Sequence, residues 1–275
     1  METKVSEKRG SLLPQRISAD VKAAIVAVAV GFIVLAVAGL LILSFLGNLT
    51  TVLPAPAVSV ARNWAGYLVA SDLTNPQSTV IGVNGSWVVP SVTDVGTDTF
   101  SAAWVGIGGQ FDSTLIQTGT EQDYVNGAPV YYAWYEMLPQ DSITIDAMTV
   151  SPGDQMQASI NLVDAGSFLW SISISDLTTG QSFQQSFTYN STRLSAEWII
   201  ERPDINNKIS TLADFGSVTF SDCYASFIDK NGSISDFSNT AIVMSTQTSR
   251  GQTVQLVNIS GLSNQGTEFT VNYIG

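Results

Sequence analysis

Two carboxylates interrupt an otherwise apolar, β-branched and aromatic stretch at Ser195–Glu201 (SAEWIIE). Side chains alternate faces along a strand, so Ala196, Trp198 and Ile200 fall on one side and Glu197, Ile199 and Glu201 on the other. The first set reads as core. Glu197, in the second, is a candidate general base, set against the simpler reading of a solvated outer face. What the chain lacks narrows the chemistry further. It has no histidine, which excludes a Ser/His/Asp triad, a Cys/His pair and any His-ligated zinc. Cys223 is the single cysteine, so neither a disulfide framework nor a Cys-cluster metal site can form. Neither Lys208 nor Lys230 follows a serine by three residues, and no Asp-Thr-Gly or Asp-Ser-Gly occurs. A hydrolase built from this chain must take its acid and base from carboxylates assisted by neutral groups, and no metal or cofactor is expected.

The elements that must position such groups follow from the chain in order. Residues 1–22 form a polar tail with Lys4, Lys8, Arg9, Arg16 and Lys22 against Glu2, Glu7 and Asp20. Residues 23–46 carry no charge. At ~1.5 Å per residue such a run crosses a hydrocarbon core of ~30 Å, and it is longer than the ~7–15 apolar residues of a cleaved signal peptide. The basic flank predicts a cytoplasmic tail, one transmembrane helix and an extracellular remainder. Residues 47–61, with Pro54 and Pro56, read as an extended linker. Removing the tail's five basic and three acidic residues from totals of 11 and 23 leaves six and twenty, so the outer part carries a charge near −14. That charge argues against a nucleic-acid partner bound through phosphates and suits an acidic exterior.

From residue 62 to 275 there is no amphipathic helix pattern. Short alternating runs recur instead, at 85–89 (GSWVV), 130–137 (VYYAWYEM), 157–162, 169–175 (LWSISIS), 182–188, 217–220, 253–257 and 269–273. Turn dipeptides such as Asn126-Gly127, Thr179-Gly180 and Asn231-Gly232 separate them. This pattern predicts an all-β sandwich or barrel without a repeat architecture.

Six motifs occur in order within this outer part: Asn63-Trp64-Ala65-Gly66, Ala103-Trp104-Val105-Gly106-Ile107-Gly108, Leu115-Ile116-Gln117-Thr118-Gly119, Ala133-Trp134-Tyr135-Glu136, Ala196-Glu197-Trp198-Ile199-Ile200-Glu201 and Asp214-Phe215-Gly216-Ser217-Val218-Thr219-Phe220. Together they resemble the glutamic peptidases, or eqolisins, the family of scytalidoglutamic peptidase. The resemblance implies a concanavalin-A-like sandwich of two antiparallel sheets with a peptide or unfolded protein as substrate across a concave face. It implies a catalytic dyad of Gln117 and Glu197, with Trp104, Trp134, Glu136 and Glu121 around the substrate. Taken alone, Gln117 beside Thr118-Gly119 reads as a turn residue, and the tryptophans read as core.

The implied roles agree with the exclusions. Peptide hydrolysis without a metal or nucleophile needs a base for water and a donor for the oxyanion. Glu197 can serve as the base, and the Gln117 carboxamide offers both N–H donors and a carbonyl acceptor. The sequence departs from the family where Gly108 and Glu121 stand in place of Asp, and near Leu138, where the family has Tyr. The expectation is a membrane-anchored extracellular acid endopeptidase with Gln117 and Glu197 on adjacent strands. Its alternatives on the same sandwich are a glycoside hydrolase using Glu136 and Glu197, or a carbohydrate-binding surface lectin.

Overall fold

The computed structural model describes residues 58–275. The expected tail and the expected transmembrane helix over 23–46 lie outside the described residues. Among the described residues no helix is long and apolar enough to cross a membrane.

The described chain is all β. Its first strands are β1 (Val58–Ala61), β2 (Trp64–Ala70), β3 (Val80–Val88), β4 (Ala102–Gly108), β5 (Leu115–Val125), β6 (Ala128–Met137) and β7 (Ile143–Thr144). The middle of the chain adds β8 (Gln155–Asp164), β9 (Leu169–Asp176), β10 (Ser182–Thr188), β11 (Ser195–Glu201), β12 (Asp204–Ile205) and β13 (Lys208–Ile209). The last are β14 (Ser217–Phe227), β15 (Asn231–Ser233), β16 (Ser238–Gln247), β17 (Thr253–Gln255), β18 (Val257–Ile259) and β19 (Phe269–Tyr273). The expected linker over 47–61 is therefore too long at its end, because Val58–Ala61 pairs in parallel with Ala241–Met244 of β16 and joins the sheet.

Two sheets make the sandwich. The larger runs β1-β16-β2-β11-β4-β5-β6-β7 with β17 on β16, and the second runs β10-β9-β8-β3-β14-β19-β18 with β15 on β14. Between them lies the main core, with Trp87, Trp170, Trp198, Ile172, Phe220 and Phe269 in its interior. The second sheet obeys simple alternation: β9 places Trp170, Ile172 and Ile174 inward and leaves Ser171, Ser173 and Ser175 toward solvent. The larger sheet does not. Its strands β4 and β5 are buried on both faces, because a second apolar cluster of Leu68, Trp104, Leu115, Trp134 and Ile199 covers the side away from the main core. Glu197 and Gln117 share that second side.

Candidate active site

Register builds the site as rows across four strands. Glu197 on β11 is opposite Gly106 on β4, Gly106 is opposite Gln117 on β5, and Gln117 is opposite Glu136 on β6. Residues directly opposite one another share a face, so Glu197, Gln117 and Glu136 point the same way. The next row toward the other end is Ile199, Trp104, Gly119 and Trp134, and beyond it come Glu201, Ala102, Glu121 and Tyr132. The strands of Gln117 and Glu197 are thus not adjacent, contrary to the expectation from the sequence. The topology inserts β4 between them, which puts their Cα atoms roughly 10 Å apart at ~4.8 Å per strand.

Glycine makes this spacing usable. A Cβ on Gly106 would lie 3.2 Å from the Gln117 Cβ and 2.8 Å from the Trp104 ring, so a side chain there would collide with the ring that packs between the two candidate groups. In the next row Gly119 does the same for the indoles: a Cβ would come within 2.5 Å of the Trp104 Cβ and 2.2 Å of the Ala103 carbonyl oxygen. Trp104 also meets Trp64 edge to face at 5.0 Å. Its indole N–H donates to Glu201 Oε2 at 2.9 Å, while the Asn63 amide donates to Glu201 Oε1 at 2.9 Å.

Gln117 and Glu197 do not bond each other. The Gln117 Nε2 donates to Glu136 Oε2 at 2.5 Å. That contact fixes which end of the carboxamide faces Glu136, and leaves its Oε1 without a protein partner. Glu197 is fully buried, and neither carboxyl oxygen has a hydrogen bond of good geometry. Burial raises its pKa well above the ordinary glutamate value; the nearby Ser195 hydroxyl and Gly108 amide oppose the shift weakly, and the charge of Asp112 adds to it.

A cavity of about 630 Å³ opens on this face, with Gln117, Glu136, Trp134, Glu121, Glu201 and Tyr132 in its wall. Glu197 lies beneath it, outside the wall residues, on the far side of Gly106, over which the Trp104 ring and the Leu115 side chain pack. Trp104 is likewise buried under the surface and meets the wall through its bond to Glu201. Four other carboxyls of the wall are also perturbed upward by burial. Glu201 and Asp123 are each pushed to about 7, and Glu121 is raised well above its usual value by burial and by the like charges of Asp123, Glu201 and Glu136. Burial raises Glu136 too, against the bond from Gln117. Such a wall holds its acids protonated well into the range where free carboxylates are ionised.

The arrangement therefore places a buried carboxyl and an oriented carboxamide on the cleft face of one sheet. The Peptidase A4 family model matches residues 62–273. The chain belongs to the Peptidase A4 family. Its enzyme class is accordingly that of a glutamic-type endopeptidase. Aspergillopepsin-2 of Aspergillus niger is 30% identical over 189 residues, which are 60% of this chain and 64% of that protein, so the match spans just under two thirds of that relative. Scytalidopepsin B of Scytalidium lignicola is 29% identical over 233 residues, 80% of this chain and 81% of its own. Among solved structures, scytalido-glutamic peptidase with a transition state analog inhibitor superposes with a TM-score of 0.62 at 27% identity, covering 78% of this chain and 98% of that one. Membership in this family decides against the glycoside-hydrolase and lectin alternatives.

The structure brings the sequence-predicted residues Gln117, Glu197, Trp104, Trp134, Glu136 and Glu121 onto one face of one sheet. Sequence reasoning passed over Asp123, Glu201, Asn63 and Tyr132 as site residues, although the signal was present. Asp123 follows Gln117 and Glu121 at even spacing on β5, and Glu201 follows Glu197 by four on β11, so alternation alone assigns both to the cleft face.

Proposed function

We propose that this Peptidase A4 protein hydrolyses peptide bonds of unfolded protein by a water molecule activated by Glu197, with Gln117 as the oxyanion donor. The observation that carries the reading is the in-register row of Glu197, Gly106, Gln117 and Glu136, which faces two complementary groups across a glycine strip. With the Cα atoms roughly 10 Å apart and both side chains on one face, a water held between their polar ends can touch both groups. Glu197 takes its proton as the water oxygen attacks the carbonyl carbon, and later gives that proton to the leaving nitrogen. One Gln117 N–H stays on Glu136; the other is free for the oxyanion, and Oε1 accepts from the water. A buried base starts the reaction only when ionised, so the acid limb of kcat/KM lies at the raised Glu197 pKa, above the ordinary glutamate range. The working range is then shifted upward from that of an unperturbed glutamate base.

The same reading makes the chain a surface enzyme: the uncharged run over 23–46 with its basic flank supports a single-pass anchor with the catalytic domain outside the cell. Incubating the purified protein with an unfolded polypeptide between pH 3 and 7 and sequencing the products tests the activity; intact substrate throughout would overturn it. Recovery of the full-length chain in the soluble fraction without detergent would overturn the anchor.

A further inference from the structure

The β5–β6 pair ends in an opened rung. Leu138 donates its backbone N–H to the Leu115 carbonyl at 2.9 Å. In a hydrogen-bonded antiparallel pair the two residues exchange both bonds, yet the Leu115 N–H does not return to Leu138. It donates to the phenolic oxygen of Tyr189 at 2.8 Å, and that hydroxyl donates to the Leu138 carbonyl at 2.9 Å. A side chain from the connection between β10 and β11 thus supplies the missing half of the rung.

Tyr189 is itself held firmly. The Trp170 indole N–H donates to its carbonyl at 2.9 Å and its own N–H donates to the Phe168 carbonyl at 3.0 Å. Three residues on, the Thr192 hydroxyl meets the Thr114 hydroxyl at 2.9 Å and the Thr192 N–H donates to that same oxygen at 3.1 Å. The connection is fastened at two points to the start of the strand that carries Gln117. Its far end leads directly into β11 and Glu197. Leu115 precedes Gln117 by two residues and Leu138 follows Glu136 by two, so the rung lies one same-face step from both partners of the Gln117–Glu136 hydrogen bond. Burial raises the Tyr189 pKa, and the charges of Asp112 and Glu136 add to the shift, so the phenol remains protonated and able to donate.

We propose that Tyr189 is a positioning residue for peptide hydrolysis: its hydroxyl sets the spacing of Leu115 and Leu138, and so holds the Gln117 carboxamide on Glu136 with its remaining donor turned to the cleft. This rests on the assignment of Gln117 and Glu197. Tyr189 touches no reacting atom in this scheme. It acts through the strand ends.

The test is Tyr189→Phe in the full-length protein, assayed on a fluorogenic peptide well below its own melting temperature. The ring and the backbone contacts to Trp170 and Phe168 are kept, and one hydroxyl is lost. Misplacing a catalytic group by ~1 Å costs up to ~10²-fold, so kcat should fall by roughly ten- to a hundredfold while KM stays within about threefold. A cycle with Glu136→Ala, which removes the acceptor, supplies a readout that a purely structural role would not move: once the Gln117–Glu136 bond is cut, removing the hydroxyl should cost little more. Unchanged kcat, a loss confined to KM, or fully multiplicative effects in the cycle would each overturn the proposal. Should Tyr189→Phe fail to fold, Thr192→Val cuts the neighbouring fastening and should lower kcat in the same sense; full kcat in that variant overturns the proposal as well. Gln117→Ala is run beside them. Retained activity there sinks the dyad assignment and this proposal together, whereas an inactive Gln117→Ala with a fully active Tyr189→Phe sinks this proposal alone.

Discussion

The two sheets of the sandwich solve the same folding problem differently. On the second sheet, β8 and β9 bury one face, Ala158, Ile160, Trp170 and Ile172, and wet the other, where Gln157, Ser159, Ser171 and Ser173 stand. On the larger sheet, β4, β5 and β11 bury both faces, and the face away from the main core holds Gln117, Glu121, Asp123 and Glu197 among tryptophans. A buried carboxylate without a partner costs free energy that folding alone gives no reason to accept. The plain sheet shows what this sequence does when only folding is at stake. The difference between the sheets is the reason the proposed chemistry is placed on the larger one.

Substitutions can break or sharpen this contrast. The largest effect is expected at Glu197→Gln, which keeps the shape and removes the proposed proton acceptor; steady-state kcat should fall by more than the ~10²–10⁴ typical of general acid–base assistance, since the group serves in both directions. Gln117→Ala comes next, with a loss of ~10²–10³ in kcat and little change in KM, because the oxyanion bond strengthens as charge develops. The carboxyls also predict an unusual stability profile. Glu197, Glu121, Asp123 and Glu201 have folded pKa values above their unfolded ones, so between about pH 4 and 7 the native state binds more protons than the unfolded state. Their contribution is fully present below the unfolded values and is lost as pH rises through the folded ones. Thermal melts should show Tm falling from pH 4 to 7, and Asp123→Asn should flatten that fall; a Tm that rises over this range would contradict the assigned shifts. Asp112→Asn has a smaller effect, moving the acid limb of kcat/KM downward by removing a charge that pushes Glu197 up. Least of all should happen on the plain sheet, where Ser173→Ala is expected to change stability by no more than ~0.5 kcal/mol and activity not at all.

The same contrast explains how much was legible in the sequence. Where one face is wet, period-two alternation marks the strand: residues 182–188 are read to the exact ends of β10, and 269–273 to those of β19. The run over 253–257 was read as one strand and forms two, because Leu256 turns inward and separates β17, paired with β16, from β18, paired with β19. Strand β16, Ser238–Gln247, mixes polar and apolar residues and left no clear period. On the two-faced sheet alternation still assigned Glu197, Ile199 and Glu201 to one side, but it could not say which strand lies beside which. Strand order is a long-range property, so β4 between Gln117 and Glu197 was invisible, and with it the place of Gly106 between them under the Trp104 ring. Nor does any local pattern join Tyr189 to Leu115 and Leu138 across 74 and 51 residues of chain.

The most direct measurement of the central claim is single-turnover cleavage of one unfolded polypeptide by Gln117→Ala and Glu136→Gln side by side. The account assigns Gln117 the developing charge and Glu136 only the task of holding it. Gln117→Ala should therefore lose ~10²–10³ in the chemical step, and Glu136→Gln, which keeps the shape of its side chain, markedly less. An inactive Glu136→Gln beside a nearly unimpaired Gln117→Ala would contradict the pairing of Gln117 with Glu197.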